Sequence, residues 1–272
     1  MLLFITIFLT SYLYHGLGIT VGYHRILAHR ALKVPRLLEY FIVSGGYLCF
    51  EGSPIAWVTT HRIHHKTTDK EGDPHSPRNG FWHAFVGWLF DPSYKSNKDQ
   101  FAIVAPDLRR DPVYRLFDPP EAKVQWLVCL GICLAFRLLL FLTLGPWAVL
   151  ANLLAAGTVF VAAFLVNSVC HLPRFGYRAY ETADESRNVW WVGLLALGEG
   201  WHNNHHAMPQ SARHGLTWYE PDISWWAIWL LRQVGLARNV RLPAQKAEQD
   251  KIGVAMESLA YSKVINSEDG QA

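Results

Sequence analysis

The sequence predicts an all-α integral membrane protein. Apolar residues make up 51% of its 272 positions and charged residues only 17%, whereas charged residues are about a quarter of a typical soluble domain. Three apolar runs each come close to the roughly 20 residues that a helix needs to cross the hydrocarbon core of a bilayer. Twelve Trp, fourteen Phe and eleven Tyr suit a protein with a large surface at the membrane–water boundary.

The first predicted span is residues 2–20, LLFITIFLTSYLYHGLGIT. A cleaved signal peptide is the rival interpretation, but this stretch lacks a basic leading segment and a small-residue cleavage site. Residues 37–55 form a weaker apolar stretch, interrupted by Gly45, Gly46, Gly52 and Pro54. These interruptions favour a segment that dips into the membrane and returns, or that lies along the interface.

Residues 124–144 and 147–166 are the clearest spans. Gly145 and Pro146 between them are a turn signal, so we expect a tight transmembrane hairpin. Arg137 inside the first of these spans is costly in lipid, unless it reaches the interface or faces protein. The chain would then cross the membrane three times.

Basic residues indicate which side of the membrane each connection occupies. They are dense between the first two spans, at Arg25, Arg30, Lys33, Arg36, Arg62, Lys66, Lys70 and Arg78. The positive-inside rule therefore predicts that residues from 24 to about 120 are cytoplasmic, so residues 37–55 should not cross. The net charge of +3 is too small and too dispersed to predict a nucleic-acid partner.

The rest of the chain is expected to lie at the membrane surface. Residues 189–201 and 223–236 carry six Trp and are predicted to be interfacial helices. We expect residues 1–243 to form a single membrane domain, followed by a polar tail over 244–272. The four cysteines lie in or beside apolar runs without a C-x-x-C motif, which predicts buried, reduced thiols.

Nine of the thirteen histidines fall into four groups. The groups are His24 and His29; His61, His64 and His65; His171; and His202, His205 and His206. Positions i, i+3 and i+4 share one face of an α-helix, so each H-x-x-H-H motif presents three imidazoles together. His24 and His29 would lie about 140° apart on an ideal helix, so they either bracket a pair of metal ions or bind one ion each. All four groups fall on the cytoplasmic side and can converge.

Convergent imidazoles predict a metal centre. Imidazole suits zinc, copper, iron and nickel, and eight or nine ligands exceed the needs of one tetrahedral zinc, so two ions are implied. Two irons fit this count, and the H-E-x-x-H motif of zinc proteases is absent. The carboxylates near these motifs that could orient the rings are Asp69, Glu71, Asp73, Asp184, Glu185 and Glu199. We expect His15, His75, His83 and, less clearly, His214 to be ordinary core residues.

From about Gly18 to Asp222 the sequence resembles the membrane fatty-acyl desaturases. The resemblance is carried by GITVGYHRILAHR, WVTTHRIHHKTTDKEGDPHSP, GFWHAFVGWLF, NSVCHLPRFGYR and GEGWHNNHHAMPQSARHGL. It implies transmembrane helices under a cytosolic helical cap, two irons held by the nine histidines, and Asn167 bound to one iron through a water. It also implies a bent acyl tunnel, for which we expect Gly52, Trp57, Thr59 and Trp201 as lining residues.

The implied reaction is the oxygen-dependent desaturation of a long acyl chain, cis and delta-9-like, with reduction of oxygen to water. Electrons would come from a separate donor, a ferredoxin or a b-type cytochrome with its reductase. The protein would lie in a bacterial inner membrane or its equivalent, with the site on the cytoplasmic side. Family members usually have a full transmembrane hairpin before the first histidine pair. Here one apolar segment precedes His24, so either the true start lies upstream or a helix has been lost.

The resemblance also bears on the substrate. Animal acyl-CoA desaturases place Arg-Asp before the second histidine motif and Arg-Lys after the Gly-Trp-Leu, against the CoA moiety. Here Thr59-Thr60 and Asp91-Pro92 stand at those positions. Because CoA carries several phosphate charges, the loss of these cations favours an acyl-lipid over an acyl-CoA substrate.

Other functions remain open from the sequence. One is a hydroxylase of alkanes, sterols or carotenoids on the same scaffold. Another is a membrane metal transporter or bis-histidine haem carrier, which would need histidines on facing helices near the bilayer centre. Only His15 lies well inside a predicted span. A non-catalytic lipid-binding protein would leave the nine histidines unexplained.

Overall fold

Helices account for all the regular structure in the described part of the chain, apart from three isolated β-bridges. The computed structural model describes residues 1–91 and 103–243, so Pro92 and the predicted tail over 244–272 lie outside the described residues. The helices are α1 (Leu2–Leu17), a π-helix (Gly18–Ala28), α2 (Arg36–Tyr47), α3 (Pro54–Thr67), α4 (Phe81–Phe85), α5 (Pro106–Arg109), α6 (Pro112–Leu116), α7 (Ala122–Leu144), α8 (Pro146–Val169), α9 (Trp190–Leu195), α10 (His202–Ala207) and α11 (Ile223–Gln233), with 3₁₀ turns at Pro77–Asn79 and Gly87–Phe90.

Three helices are long and apolar enough to cross a membrane. They are the continuous helix Leu2–Ala28, α7 and α8, at the three positions predicted from the sequence. Gly145, whose φ is +82°, makes the tight turn between α7 and α8. Leu138 and Leu142 expose most of their surface on α7, as lipid-facing side chains do. The protein is an all-α integral membrane protein; the grouping of residues 1–243 into one domain stays a prediction.

The weaker apolar stretch over 37–55 contains a helix that is too short to span. α2 has 12 residues, which is about 18 Å, whereas the hydrocarbon core is about 30 Å thick. The backbone then turns through Phe50 and Gly52, both with positive φ. α3 begins at Pro54, where the Ser53 side chain caps it by accepting from the Ala56 amide. The helix therefore agrees with the expectation of a segment that does not cross.

Glycines set the distance between α2 and the first membrane helix. A Cβ on Gly18 would lie 2.4 Å from the backbone carbon of Gly45, and a Cβ on Gly45 would lie 2.3 Å from the Tyr14 carbonyl oxygen. Real Cβ atoms do not approach backbone so closely, so both positions require glycine. This close packing places α3, which follows α2, beside the π-helix.

Polar side chains inside the membrane region bind each other or the backbone. The buried His15 ring donates from Nδ1 to the Gly45 carbonyl at 2.9 Å and accepts at Nε2 from Asn152 at 3.0 Å, so it is a core histidine as expected. Arg137 is 5% exposed; its Nη1 donates to the Cys133 carbonyl, and its guanidinium lies 4.5 Å from the Phe50 ring centre. Arg137 therefore faces protein.

The structure has helices in the two segments expected at the membrane surface and has buried thiols, while the position of those helices at the membrane surface stays a prediction. Helices occur within both segments predicted to be interfacial, as α9 and α11, and Trp190, Trp226 and Trp229 are exposed there. All four cysteines are free and buried.

Candidate metal centre

The π-helix brings the first two histidines onto one face. In a π-helix the amide of residue i+5 bonds to the carbonyl of residue i, and the His29 amide donates to the His24 carbonyl at 3.0 Å. The two ring centres are 4.8 Å apart. The 140° separation expected for an α-helix therefore does not occur, and both rings belong to the same group of ligands.

Five histidines surround one point. This five-histidine cluster consists of His24, His29, His61, His65 and His205, whose ligand nitrogens all lie within 4.8 Å of one another. The Nε2 atoms are 3.1 Å apart in His24 and His205, and 2.8 Å apart in His29 and His61. The Nε2 atoms of His65 and His205 are 2.9 Å apart. All five rings thus turn the same nitrogen inward.

Four more histidines form an adjoining group. This four-histidine cluster consists of His64, His171, His202 and His206. The Nε2 atoms of His171 and His202 are 3.0 Å apart. The Nε2 atoms of His64 and His206 are buried, with no hydrogen-bond partner within residues 1–91 and 103–243. Buried polar atoms are nearly always satisfied, so these two nitrogens indicate a missing partner such as a metal ion.

Each H-x-x-H-H motif supplies both clusters. On α3, His61 and His65 are one turn apart and point into the five-histidine cluster, while His64 points into the other. On α10, His205 joins the five-histidine cluster, while His202 and His206 join the four-histidine cluster. The structure therefore brings together all nine histidines that the sequence singled out, as two neighbouring centres.

The donor geometry and the charge state both fit metal ions. Two nitrogens bound at right angles to one ion at about 2.1 Å are separated by about 3.0 Å, and the observed Nε2 separations run from 2.8 to 3.1 Å. Burial lowers the pKa of His61, His65 and His205 well below the ordinary histidine value. Neutral imidazole is the form that binds a metal, so the residues present fit two ions.

Carboxylates stand behind four of the nine rings. In each case an outward Nδ1 donates to a carboxylate oxygen, which fixes the tautomer and leaves Nε2 free to bind a metal. The pairs are His24 with Glu199 (2.6 Å), His64 with Asp73 (2.9 Å), His171 with Asp69 (3.0 Å) and His206 with Asp184 (3.0 Å).

Two predicted carboxylates have no such role. Glu71 is exposed, and Glu185 contributes its backbone amide, which donates to Asp69 at 2.8 Å. Neither side chain contacts a histidine ring in the described part of the structure. Both lie within two residues of a carboxylate that does, which is why sequence position alone did not separate them.

The sequence interpretation missed two charged or titratable groups around the centre. Arg25 is completely buried and donates to Glu199 at 3.1 Å and to Asp222 at 3.0 Å. The His214 ring centre is 4.5 Å from that of His205, so His214 belongs to the surroundings of the site. The positions of Arg25 beside His24 and of His214 after the third motif were the available signals.

His75 and His83 behave differently from each other. His75, expected to be an ordinary core residue, is buried but packs on a ligand, with its ring centre 4.3 Å from that of His64. His83 is half-buried away from both clusters, and its Nε2 lies 3.2 Å from the Pro74 carbonyl oxygen. The expectation for His75 therefore needs correction, because its neighbours make it part of the metal site's wall.

An apolar cavity opens onto the two clusters. Its lining includes Ile19, Trp57, Thr60, Phe164, Val166 and Asn167, together with ring atoms of His24, His61, His64 and His202. The Trp57 ring stacks on His61 with centres 5.1 Å apart, and its indole N–H donates to Glu51 at 3.1 Å. Burial raises the pKa of Glu51 to about 8.

Only one of the expected tunnel residues lines this cavity, and that residue is Trp57. Gly52, Thr59 and Trp201 are not among its lining residues in the described part of the chain. The Gly52 carbonyl accepts from the Tyr23 hydroxyl, and the Trp201 indole donates to the Pro221 carbonyl. Asn167 lies in the last turn of α8, shortly before His171, and does line the cavity.

The chain is similar to known proteins over most of its length. The sequence profile of the fatty acid desaturase family matches residues 1–237. The chain is 44% identical over 235 residues to an sn-1 stearoyl-lipid 9-desaturase of Anabaena variabilis, covering 85% of this chain and 81% of that one. It is 43% identical over 238 residues to delta-9 acyl-lipid desaturase 1 of Arabidopsis thaliana, covering 87% and 75%.

A relative with a different acyl carrier is almost as similar. The chain is 42% identical over 240 residues to an acyl-CoA 5-desaturase of Anemone leveillei, covering 87% of this chain and 71% of that protein. The histidine clusters, the membrane helices and these similarities agree, and the chain belongs to the fatty acid desaturase family.

Proposed function

We propose that this protein introduces a cis double bond into a long acyl chain at a centre of two iron ions, using molecular oxygen. The observation that carries the proposal is the convergence of nine imidazoles into two adjoining clusters beside an apolar cavity. Bound iron would supply the oxidising power, with oxygen, to remove hydrogen from an unactivated methylene. Imidazole nitrogens are suitable iron ligands, and carboxylate-bound rings keep their tautomers fixed.

The chain's own residues hold the ions and position the substrate. The five-histidine and four-histidine clusters would each bind one ion. Asn167 would reach the ion of the four-histidine cluster through a water, because it lies one turn from His171 and lines the cavity. Ile19, Trp57 and Val166 would hold the acyl chain beside the ions and exclude water. Catalysis of this kind depends on holding one methylene within reach of the oxidant.

We further propose an acyl group carried on a membrane lipid, with the double bond at the delta-9 position. Two similar proteins are named as 9-desaturases of acyl-lipids, and Thr59 and Thr60 supply no cation for a CoA phosphate. The named acyl-CoA 5-desaturase is the reason to test the carrier directly. The site would face the cytoplasm and receive electrons from a separate ferredoxin or b-type cytochrome.

The proposal is tested by expressing the whole chain in a host that lacks unsaturated lipids. Fatty-acid methyl esters, measured by lipid class, should contain new cis-unsaturated chains in the membrane lipids. His64→Ala and His205→Ala should abolish them while the protein still inserts, and His83→Ala, outside both clusters, should retain them. Acyl alcohols in place of alkenes would contradict desaturation, as would full activity in either ligand variant.

A further inference from the structure

The two histidine clusters differ in the number and net charge of the carboxylates that bind the outward Nδ1 atoms of their rings. In the four-histidine cluster, three of the four rings donate Nδ1 to a carboxylate, on Asp69, Asp73 and Asp184. In the five-histidine cluster one ring of five does so among the described residues, through Glu199. The smaller cluster therefore has three times as many carboxylate-bound rings.

Arg25 widens this difference. Its guanidinium donates to Glu199 and to Asp222, so two carboxylates beside the five-histidine cluster share one buried positive charge. The positive charge of Arg25 thereby partly neutralises Glu199 and weakens the electrostatic effect of Glu199 on the His24 ring. The net formal charge of that group is one negative.

No basic side chain neutralises the other three carboxylates within the described residues. Backbone amides hold them instead: those of Asp69 and His75 donate to Asp73 at 2.8 and 3.3 Å. The amides of Glu185 and Ser186 donate to Asp69 at 2.8 Å and to Asp184 at 2.9 Å. An amide orients a carboxylate without cancelling its charge, so the group behind the four-histidine cluster carries three formal negative charges.

We infer that the two metal positions are unequal, and that the four-histidine position binds its divalent ion more tightly. This inference rests on the proposed function, because it assumes that both clusters hold metal. A carboxylate behind a ligating histidine makes the imidazole a stronger ligand, and losing such a partner costs about 10- to 100-fold in metal affinity. Two additional partners therefore outweigh the one extra neutral ring of the five-histidine position.

Zinc titration of the metal-free full-length protein in detergent tests the inference, because zinc does not change its oxidation state. Isothermal calorimetry should resolve two binding events whose dissociation constants differ by at least about 100-fold. His171→Ala should remove the tight event and His29→Ala the weak one, since each ring belongs to a single cluster. These two variants assign the events to positions.

Asp69→Asn is the most informative charge change. Oδ2 of Asp69 accepts both from His171 and from the Glu185 amide, while Oδ1 is buried with no described partner. The amide oxygen of an asparagine can therefore keep both hydrogen bonds while the charge is removed, with the amide NH2 at the buried position of Oδ1. It should weaken the tight event about 10- to 100-fold and leave the weak one unchanged. Glu185→Gln, which removes a neighbouring charge that touches no ring, is the matched control and should change neither.

The outcomes separate this inference from the proposed function. Loss of the tight event in His29→Ala, or two equal events in the unaltered protein, would overturn the inference and leave two metal positions in place. Failure of the unaltered protein to bind any zinc at these positions would overturn both. If Asp69→Asn does not fold, Asp184→Asn replaces it. Both oxygens of Asp184 accept hydrogen bonds, so this variant loses an acceptor as well as the charge, and it should again weaken the tight event and leave the weak one unchanged.

Discussion

Arg25 Nη2 donates to Glu199 Oε1 over 3.1 Å, and this bond joins the first histidine motif to the segment just before the third. The other oxygen of Glu199 accepts from Nδ1 of His24 at 2.6 Å. Arg25 also donates to the Ala212 carbonyl and to Asp222. One completely buried guanidinium thus connects three separate stretches of chain around the five-histidine cluster.

Replacing Arg25 should be strongly destabilising. Arg25→Met leaves Glu199 and Asp222 as buried charges without their cation, and breaking a buried pair in this way costs about 3–5 kcal/mol. Thermal unfolding of the detergent-solubilised protein measures the loss. Arg30→Met is the control: its side chain is 61% exposed and pairs with Asp107 at 2.7 Å, so about 1 kcal/mol or less is expected. Similar losses in both variants would contradict the role given to Arg25.

The contact between α2 and the first membrane helix should not tolerate a single methyl group. Gly18→Ala places a Cβ 2.4 Å from the Gly45 backbone, so the helices must separate and a cost of at least about 1–3 kcal/mol is expected. Gly131→Ala on α7 meets no described atom within 4 Å and should leave stability unchanged or slightly improved. The yield of monodisperse protein and its unfolding temperature check both. A Gly18→Ala protein as stable as Gly131→Ala would disprove the close packing.

Glu51 should make stability depend on pH. Burial raises the pKa of this carboxyl from 4.5 to about 8, so the folded protein keeps it protonated at neutral pH, whereas the unfolded chain releases the proton above about pH 4.5. Stability from this group is therefore complete below pH 4.5 and is lost as the pH rises to about 8. Glu51→Gln keeps an acceptor for the Trp57 indole but does not titrate. The difference in unfolding temperature between variant and parent should grow in favour of Glu51→Gln from pH 5 to 8, and a constant difference would count against a buried neutral acid.

Thr59 should contribute little to activity. It is fully buried, its hydroxyl has no hydrogen-bond partner among the described residues, and it does not line the cavity. Thr59→Val keeps the shape and removes an unsatisfied polar group, so stability should stay equal or rise by about 1 kcal/mol, with unchanged fatty-acid products. Fatty-acid methyl esters from cells that express Thr59→Val, compared with those from cells that express His64→Ala, test this expectation. A loss of unsaturated products as large as that in His64→Ala would instead indicate that Thr59 contacts the substrate.

The membrane helices and the histidine groups could be predicted because each depends on local pattern. The lengths of α7 and α8 follow from uninterrupted apolar runs around Gly145 and Pro146. Six of the nine histidines were recognisable because each H-x-x-H-H motif places three rings on one helical face. Neither conclusion needs knowledge of which distant segments meet.

The division of the ligands between two clusters could not be predicted, because it depends on backbone winding and on distant contacts. His24 and His29 join one cluster only because Gly18–Ala28 is π-helical. The same limit explains why Arg25 was missed, since the side chains that it binds on Glu199 and Asp222 lie 174 or more positions away along the chain. The contact of His214 with Arg25 is equally distant in sequence. Gly52, Thr59 and Trp201 were expected in the acyl tunnel but do not line the cavity in the described part of the chain, so their place in a tunnel stays a prediction.

The winding of Gly18–Ala28 carries a lesson for protein engineering. An H-x4-H pair grafted onto an ordinary α-helix would aim its two rings in different directions, so one would be lost to the metal. Deleting one residue between them would restore a shared face on an α-helix, but would also turn every later side chain of that helix by about 100°. The number of residues between two ligands on one helix therefore has to match the number of residues per turn of that helix.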